Sequence, residues 1–217
     1  MGCGKSSVGK SLSALLGCPF SDLDTAIVER IGCTIPEFFA RHGEADFRTL
    51  ESVVLSDVLA ASLAGQPLTG HSLPGHTPSP LTPGNEGICR SGRGGVSGGT
   101  APAISAVLAL GGGTVMTPDC AHMVQERTRC IYLRASLDTL IERLRNEAAG
   151  RPMLRTRTPD PGTEPCPTPA DADIALRERI SSLLAQRSAT YESVAHHIID
   201  VDGLSVEDVA RSILSTI

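Results

Sequence analysis

Tryptophan is absent from this 217-residue chain, and four Phe with two Tyr bring the aromatic share to only 3%. A core without large rings must be aliphatic, and a hydrophobic share of 41% is enough to build one. Excess positive charge is lacking too. With 19 Lys and Arg against 24 Asp and Glu, the net charge is -5, which argues against a nucleic-acid surface and leaves any phosphate chemistry to a few placed cations. No apolar run approaches the roughly 20 residues that span a bilayer, and no signal-peptide apolar region opens the chain. The expectation is a cytoplasmic monomer with neither nucleic acid nor membrane as partner. Seven cysteines are present but scattered, with no CxxC pair. A zinc ribbon, a thioredoxin-like redox site and a disulfide framework are therefore unsupported, and the thiols read as small hydrophobes in a reducing compartment.

What is present alternates between strand and helix patterns over a length suited to one α/β domain, 1–217. Val8, Leu12, Leu15 and Leu16 predict a helix from Lys5 to Leu16 that stops at Gly17. Ala26, Ile27 and Ile31 predict a short helix to Gly32, Thr34 and Glu37 form a capping box for the next, and Glu44 to Leu63 reads as a longer one. Residues 65–102 are rich in Pro, Gly, Ser and Thr without hydrophobic period, and are expected to be a disordered insertion. Ile104 to Leu110 is a continuous apolar run suited to a buried parallel strand. A helix at Pro118–Arg127, a strand at Cys130–Leu133 and a helix at Ser136–Asn146 follow. A second Pro- and Thr-rich stretch spans 151–171, then a long helix to Ala195, a strand HisIleIleAsp, and a last helix opened by Ser205 with Asp208 at its third position. The fold class predicted is a parallel sheet covered by helices on both faces.

The opening MGCGKSSVGKS has three readings. GKS at Gly4 to Ser6 could close a phosphate loop whose beginning is missing. Gly4 to Ser11 matches GxxxxGK[ST] completely, and Met1 to Ser6 fits an N-myristoylation pattern with Cys3 as a second acyl site. A phosphate loop must enter a helix at its Lys, where free backbone N–H groups and the dipole favour anions. Lys5 and Ser6 stand at the predicted helix start, whereas Lys10 and Ser11 lie inside it, so the incomplete motif is preferred. Acylation would need Gly2 and Cys3 on an accessible tail, yet Val8 already belongs to the buried stripe. Asp22 and Asp24 follow Lys5 by 17 and 19 residues, at the expected carboxyl end of a strand, where open α/β sheets place ligands. Taken alone the pair could equally cap the next helix. His196 and His197 are adjacent, point to opposite sides of a strand, and do not make one metal site.

Read in order, GCGKSSVG, SDLD, GEADFR followed by Glu51, LALGGGTV, RPML and QRSATYESVA resemble the shikimate kinases, P-loop small-molecule kinases. The resemblance covers nearly all of the chain outside the two Pro-rich stretches. It implies transfer of the ATP γ-phosphoryl group to the 3-hydroxyl of shikimate, with Mg²⁺ as cofactor. It also implies that Gly2, Cys3, Gly4, Lys5, Ser6 and Ser7 cradle the ATP phosphates, with Ser6 and Asp22 toward the metal. Asp24 would contact the attacking hydroxyl; Arg48, Gly112 and Arg187 would bind shikimate; and Arg151, on a mobile lid within 147–173, would reach ATP, with Arg143 or Arg145 beside adenine. The chemistry fits independently. A planar guanidinium fork matches a carboxylate, and a glycine run lets backbone N–H groups approach a hydroxyl.

Three features depart from the family pattern: the start, the 65–102 insertion, and the lengthened lid, with Arg151 and Arg187 separated by 36 residues. The family's first, central strand is missing from the N-terminus. Losing about five buried apolar side chains, at roughly 1.5 to 3 kcal/mol each, removes about 8 to 15 kcal/mol, comparable to the roughly 5 to 15 kcal/mol stability of a domain. The expectation is a native start upstream of Met1. The alternative is an N-terminally truncated, non-catalytic nucleotide-binding or interaction protein of the same fold.

Overall fold

The computed structural model describes residues 3–63, 104–148 and 169–217. The disordered insertion expected at 65–102, Arg151 with most of the lid, and Gly2 of the phosphate loop lie outside them. Helix α1 (Lys5–Leu16) starts from a left-handed Gly4 and is closed by Gly17, as its glycines predict. Its buried face is Val8, Gly9, Leu12 and Ser13, whereas Leu15 is half exposed. That face is rotated toward Gly9 because the Phe20 ring lies where a Gly9 side chain would be: an added Cβ would stand 2.5 Å from the ring edge.

Strand β1 (Phe20–Asp22) leads directly into α2 (Leu23–Ile31), whose first turn is capped by Asp22. Helix α3 (Ile35–Leu63) joins the two helices read from the sequence across a kink at Gly43. The Thr34 and Glu37 capping box forms as expected, Thr34 N–H donating to Glu37 Oε2 at 2.8 Å. Strand β2 (Val107–Ala109) runs into a 3₁₀ turn (Thr114–Met116) and α4 (Pro118–Arg127). Then come β3 (Ile131–Arg134), α5 (Leu137–Ala148), α6 (Pro169–Val194), β4 (His197–Asp200) and α7 (Val206–Leu214). Ser205 caps α7 by accepting from Asp208 N–H.

The strands are parallel, as alternation with helices requires. Phe20 pairs with Val107 and Asp22 with Ala109; Ile131 pairs with His197 and Arg134 with Asp200. They form two parallel pairs, β1 with β2 and β3 with β4. A cavity of about 130 Å³ is lined by Leu110, Gly111 and Gly112 after β2 and by Ile131, Tyr132 and Leu133 of β3. The pairs are tied together from below. Val8 and Leu12 of α1 share a buried cluster with Leu133, Ile199, Val209 and Ile213, and Val107 packs on it. A second cluster gathers Leu23, Ile27, Phe47, Leu55, Val115 and Val124 under β1 and β2. This core fixes the start of α1, the end of β1, the middle of α3 and the turn after β2 around one region.

Candidate active site

Two constellations meet there. The first lies at the start of α1. Helix geometry leaves the amides of its first turn without intrahelical acceptors, and the dipole adds positive potential. Lys5 sits on that turn with its ammonium 3.9 Å from Cys3 Sγ, a weak contact that a phosphate oxygen readily replaces. Ser6 Oγ donates to Asp22 Oδ2 at 2.7 Å, across from β1. A hydroxyl and a carboxylate this close are the hard oxygen donors that Mg²⁺ takes when it is shared with phosphates and water, so the pair fits that ion. Among the described residues no cluster of three or more His, Cys, Asp or Glu could hold a metal without such help. Asp22 also accepts from Asp24 N–H at 3.1 Å through its other oxygen, so it caps α2 and faces Ser6 at once. Arg143 approaches the same turn: a Cβ added at Gly4 would lie 3.8 Å from its Nη1, while its Nη2 donates to the Val201 carbonyl at 3.3 Å. The Arg145 side chain lies outside the described residues. Lys10 is exposed on the second turn of α1, 6.0 Å from the Phe20 ring centre.

The second constellation is built on the three glycines after β2. A Cβ at Gly111 would be 2.7 Å from Asp24 Oδ1, and one at Gly113 would be 2.8 Å from both terminal nitrogens of Arg48. The bare backbone is thus what admits the Asp24 carboxylate and the Arg48 guanidinium side by side. Between them the Gly112 carbonyl accepts from Arg187 Nη1 at 3.3 Å and from the Tyr191 hydroxyl in a shorter contact. Arg48 is held in turn by Glu51, Nη1 to Oε2 at 2.7 Å, and more loosely by exposed Glu44 at 3.1 Å. Burial alone would lower the Arg48 pKa, but its hydrogen bonds to Glu51 and Glu44 outweigh that and push it further up, so the guanidinium stays charged. Glu51 is 2% exposed, and its second oxygen accepts from the Thr114 hydroxyl at 2.7 Å.

Of the residues singled out in the sequence, Cys3, Gly4, Lys5, Ser6, Ser7, Asp22, Asp24, Arg48, Gly112 and Arg187 are all described, and the two constellations draw on all of them except Ser7, which is exposed on the first turn of α1. The structure adds Glu51, Thr114 and Tyr191. Tyr191 had a local signal, because it follows Arg187 by four on one helix and shares its face; Glu51 likewise follows Arg48 by three. His196 serves the scaffold, its Nδ1 accepting from Cys130 N–H at 3.0 Å beside β3.

Chemically, this is a helix start with free amides and a lysine next to a hydroxyl–carboxylate pair, near a glycine turn against which a carboxylate and two guanidinium groups are placed. No helix among the described residues is long and apolar enough to cross a membrane. The profile of the shikimate kinase family matches residues 1–65 and 100–217. The shikimate kinase of Geobacter sulfurreducens is 32% identical over 98% of this chain and 84% of its own length. That of Halorhodospira halophila is 29% identical over all of this chain and 89% of its own. Among solved structures, the shikimate kinase of Acinetobacter baumannii in complex with shikimate superposes with a TM-score of 0.66 at 24% identity, over all of this chain and 87% of that one. The enzyme of Bacteroides thetaiotaomicron gives 0.68 at 24% identity, over all of this chain and 93% of that one.

Proposed function

The chain belongs to the shikimate kinase family, an ATP-dependent kinase of a small alcohol in aromatic amino acid biosynthesis, and from that premise we propose how its own residues divide the reaction. Asp24, Arg48, Gly112 and Arg187 form the shikimate site. The observation that carries this is the convergence of Asp24, Arg48 and Arg187 on the Gly111–Gly113 turn. The two guanidinium groups clamp the substrate carboxylate, each offering a planar pair of donors, and so fix which hydroxyl faces Asp24. Asp24 accepts the proton of the 3-hydroxyl as its oxygen attacks phosphorus, and the bond from the γ-phosphorus to the bridging oxygen of ADP breaks.

Gly2, Cys3, Gly4, Lys5, Ser6 and Ser7 bind the phosphates of ATP, backbone amides toward oxygen and Lys5 as the point charge. Ser6 and Asp22 would hold Mg²⁺, which when bound would neutralise charge on the phosphates. Arg151 and the lid residues 147–173 close over ATP in this reading. A single domain, 1–217, acts as a cytoplasmic monomer whose partners are ATP and shikimate.

A coupled ADP-release assay with ATP, Mg²⁺ and shikimate tests it. Shikimate-dependent turnover is the expected result. A folded protein, checked by circular dichroism, that releases no ADP in response to shikimate overturns it.

A further inference from the structure

The Gly112 carbonyl is where two side chains of α6 meet, and they meet it differently. Tyr191 donates its hydroxyl from a ring held on two sides: it packs on the cluster containing Val194, and it lies against Tyr132 with ring centres 5.2 Å apart. Arg187 donates at 3.3 Å, the long end of the hydrogen-bond range, from a flexible and half-buried side chain. Among the described residues the Arg187 guanidinium makes no ion pair, unlike Arg48, which is held by Glu51 and Glu44.

These two donors do not survive substrate binding equally. A carboxylate offers a guanidinium two charge-assisted hydrogen bonds, roughly twice as strong as one to a neutral carbonyl, so Arg187 exchanges its long bond for the substrate. The carbonyl it leaves belongs to the turn whose glycines accommodate Asp24 on one side and Arg48 on the other. A turn of bare glycines has more backbone freedom than any other sequence, and losing its anchor as the ligand arrives would blur the site. The Tyr191 hydroxyl has no such competitor.

We propose that Tyr191 is a positioning residue, the fixed anchor of the Gly111–Gly113 turn, which holds the turn in its binding shape while Arg187 is released from Gly112 to the substrate carboxylate. The ligand in this statement rests on the shikimate reading above; the anchoring itself does not.

Tyr191→Phe removes the hydroxyl and keeps the ring on Tyr132; Arg187→Ala serves as the contrast. Hydrogen exchange of the amides from Gly112 to Met116 is compared in both variants and the parent protein, with thermal denaturation and shikimate and ATP titrations alongside. For Tyr191→Phe we expect exchange in that stretch about fivefold or more faster, with and without shikimate, and a shikimate Kd raised about fivefold. The ATP Kd should stay within about twofold and the Tm within about 2 °C. Arg187→Ala should abolish measurable shikimate binding while leaving exchange of the turn at the parent rate. Unchanged exchange in Tyr191→Phe overturns the proposal. So does faster exchange with an unchanged shikimate Kd, or a fall in Tm with exchange raised evenly across the core, either of which reduces Tyr191 to packing. If the parent protein binds no shikimate, the functional reading fails, and the anchoring claim is decided by the exchange rates.

Discussion

Thr114 Oγ1 donates to Glu51 Oε1 at 2.7 Å across 63 residues of sequence, both side chains withdrawn from solvent, while Glu51 Oε2 takes Arg48 Nη1 at the same distance. The turn after β2 and Arg48 on α3 are therefore set by one buried carboxylate. Glu51→Ala leaves the fully buried Thr114 hydroxyl without an acceptor and Arg48 with only the exposed Glu44, and should destabilise the protein by about 1 to 3 kcal/mol in urea denaturation. Glu51→Gln keeps an acceptor for Thr114 and removes the charge opposite Arg48. It should fold, with the KM for shikimate raised about tenfold and that for ATP unmoved. Equal changes in both KM values would detach Glu51 from the shikimate site.

Gly113→Ala tests the Arg48 position without disturbing the backbone. Gly113 has φ -106, which alanine adopts freely, and the added methyl would meet the two Arg48 nitrogens at 2.8 Å. Those nitrogens end a flexible side chain, so the fold gives way there. Because Arg48 must shift against its bond to buried Glu51 to make room, the expected result is a Tm lowered by several degrees with the fold retained, and a shikimate KM raised about tenfold or more. Gly111→Ala pushes instead on Asp24 Oδ1 at 2.7 Å, and should lower kcat more than it raises KM.

Much of this was legible in the sequence where the determinants are local. Gly17, Gly32, the Thr34 and Glu37 box and the Ser205 and Asp208 cap mark helix ends within one or two residues of where they fall. The strands were less legible because a ladder needs a partner. The apolar run from Ile104 to Leu110 looks like one long strand, yet only Val107–Ala109 pairs, since its neighbour β1 is Phe20–Asp22. The division into two strand pairs lies in contacts between distant segments, which hydrophobic pattern does not encode. In the site, the ordered motifs pointed to Asp22, Asp24, Arg48, Gly112 and Arg187. The Tyr191 hydroxyl on Gly112 spans 79 residues, and the Thr114 and Glu51 bond spans 63, so these two long-range bonds had no signal in the sequence, whereas the Arg48 and Glu51 pair, three residues apart, did.

Ser6 and Asp22 should act on the metal as a unit. Asp22→Asn keeps the cap on α2, because asparagine caps as well as aspartate, and removes only the charge beside Ser6 Oγ. The Mg²⁺ concentration for half-maximal rate should rise about tenfold in Asp22→Asn and in Ser6→Ala. The double variant should rise less than the product of the two, as expected for groups that share a partner. Strict multiplicativity would separate them.

Cys130 should be the slow thiol. Burial pushes its pKa from the ordinary range up to about 11. At pH 8 about one part in a thousand is then thiolate, against roughly a quarter for a free cysteine, and only the thiolate attacks. Alkylation of the native protein read by peptide mass mapping should label Cys130 at least about a hundredfold more slowly than the same residue in urea. As pH rises from 8 toward 11 its native rate should climb about tenfold per unit, without the plateau near pH 9 that an unperturbed thiol shows.

The two GKS sequences at the N-terminus make opposite predictions. Lys5 opens α1 behind a left-handed Gly4, where the first amides are free and where Ser6 meets Asp22. Lys10 is two residues beyond Val8, which is 4% exposed, and its ammonium lies over the Phe20 ring on the outside of the helix. A phosphate bound by Lys10 and Ser11 would have no free backbone N–H groups, because their amides already belong to the helix ladder. Lys5→Met should therefore reduce kcat/KM for ATP by about a hundredfold or more, by analogy with removal of any charge placed on a transferring phosphoryl group. Lys10→Met gives up at most an exposed cation–π contact of about 0.5 to 1 kcal/mol, and should change kcat/KM less than about twofold. Loss of activity in Lys10→Met with Lys5→Met active would move the phosphate site into the helix, and no arrangement of α1 compatible with a buried Val8 and Leu12 would accommodate it.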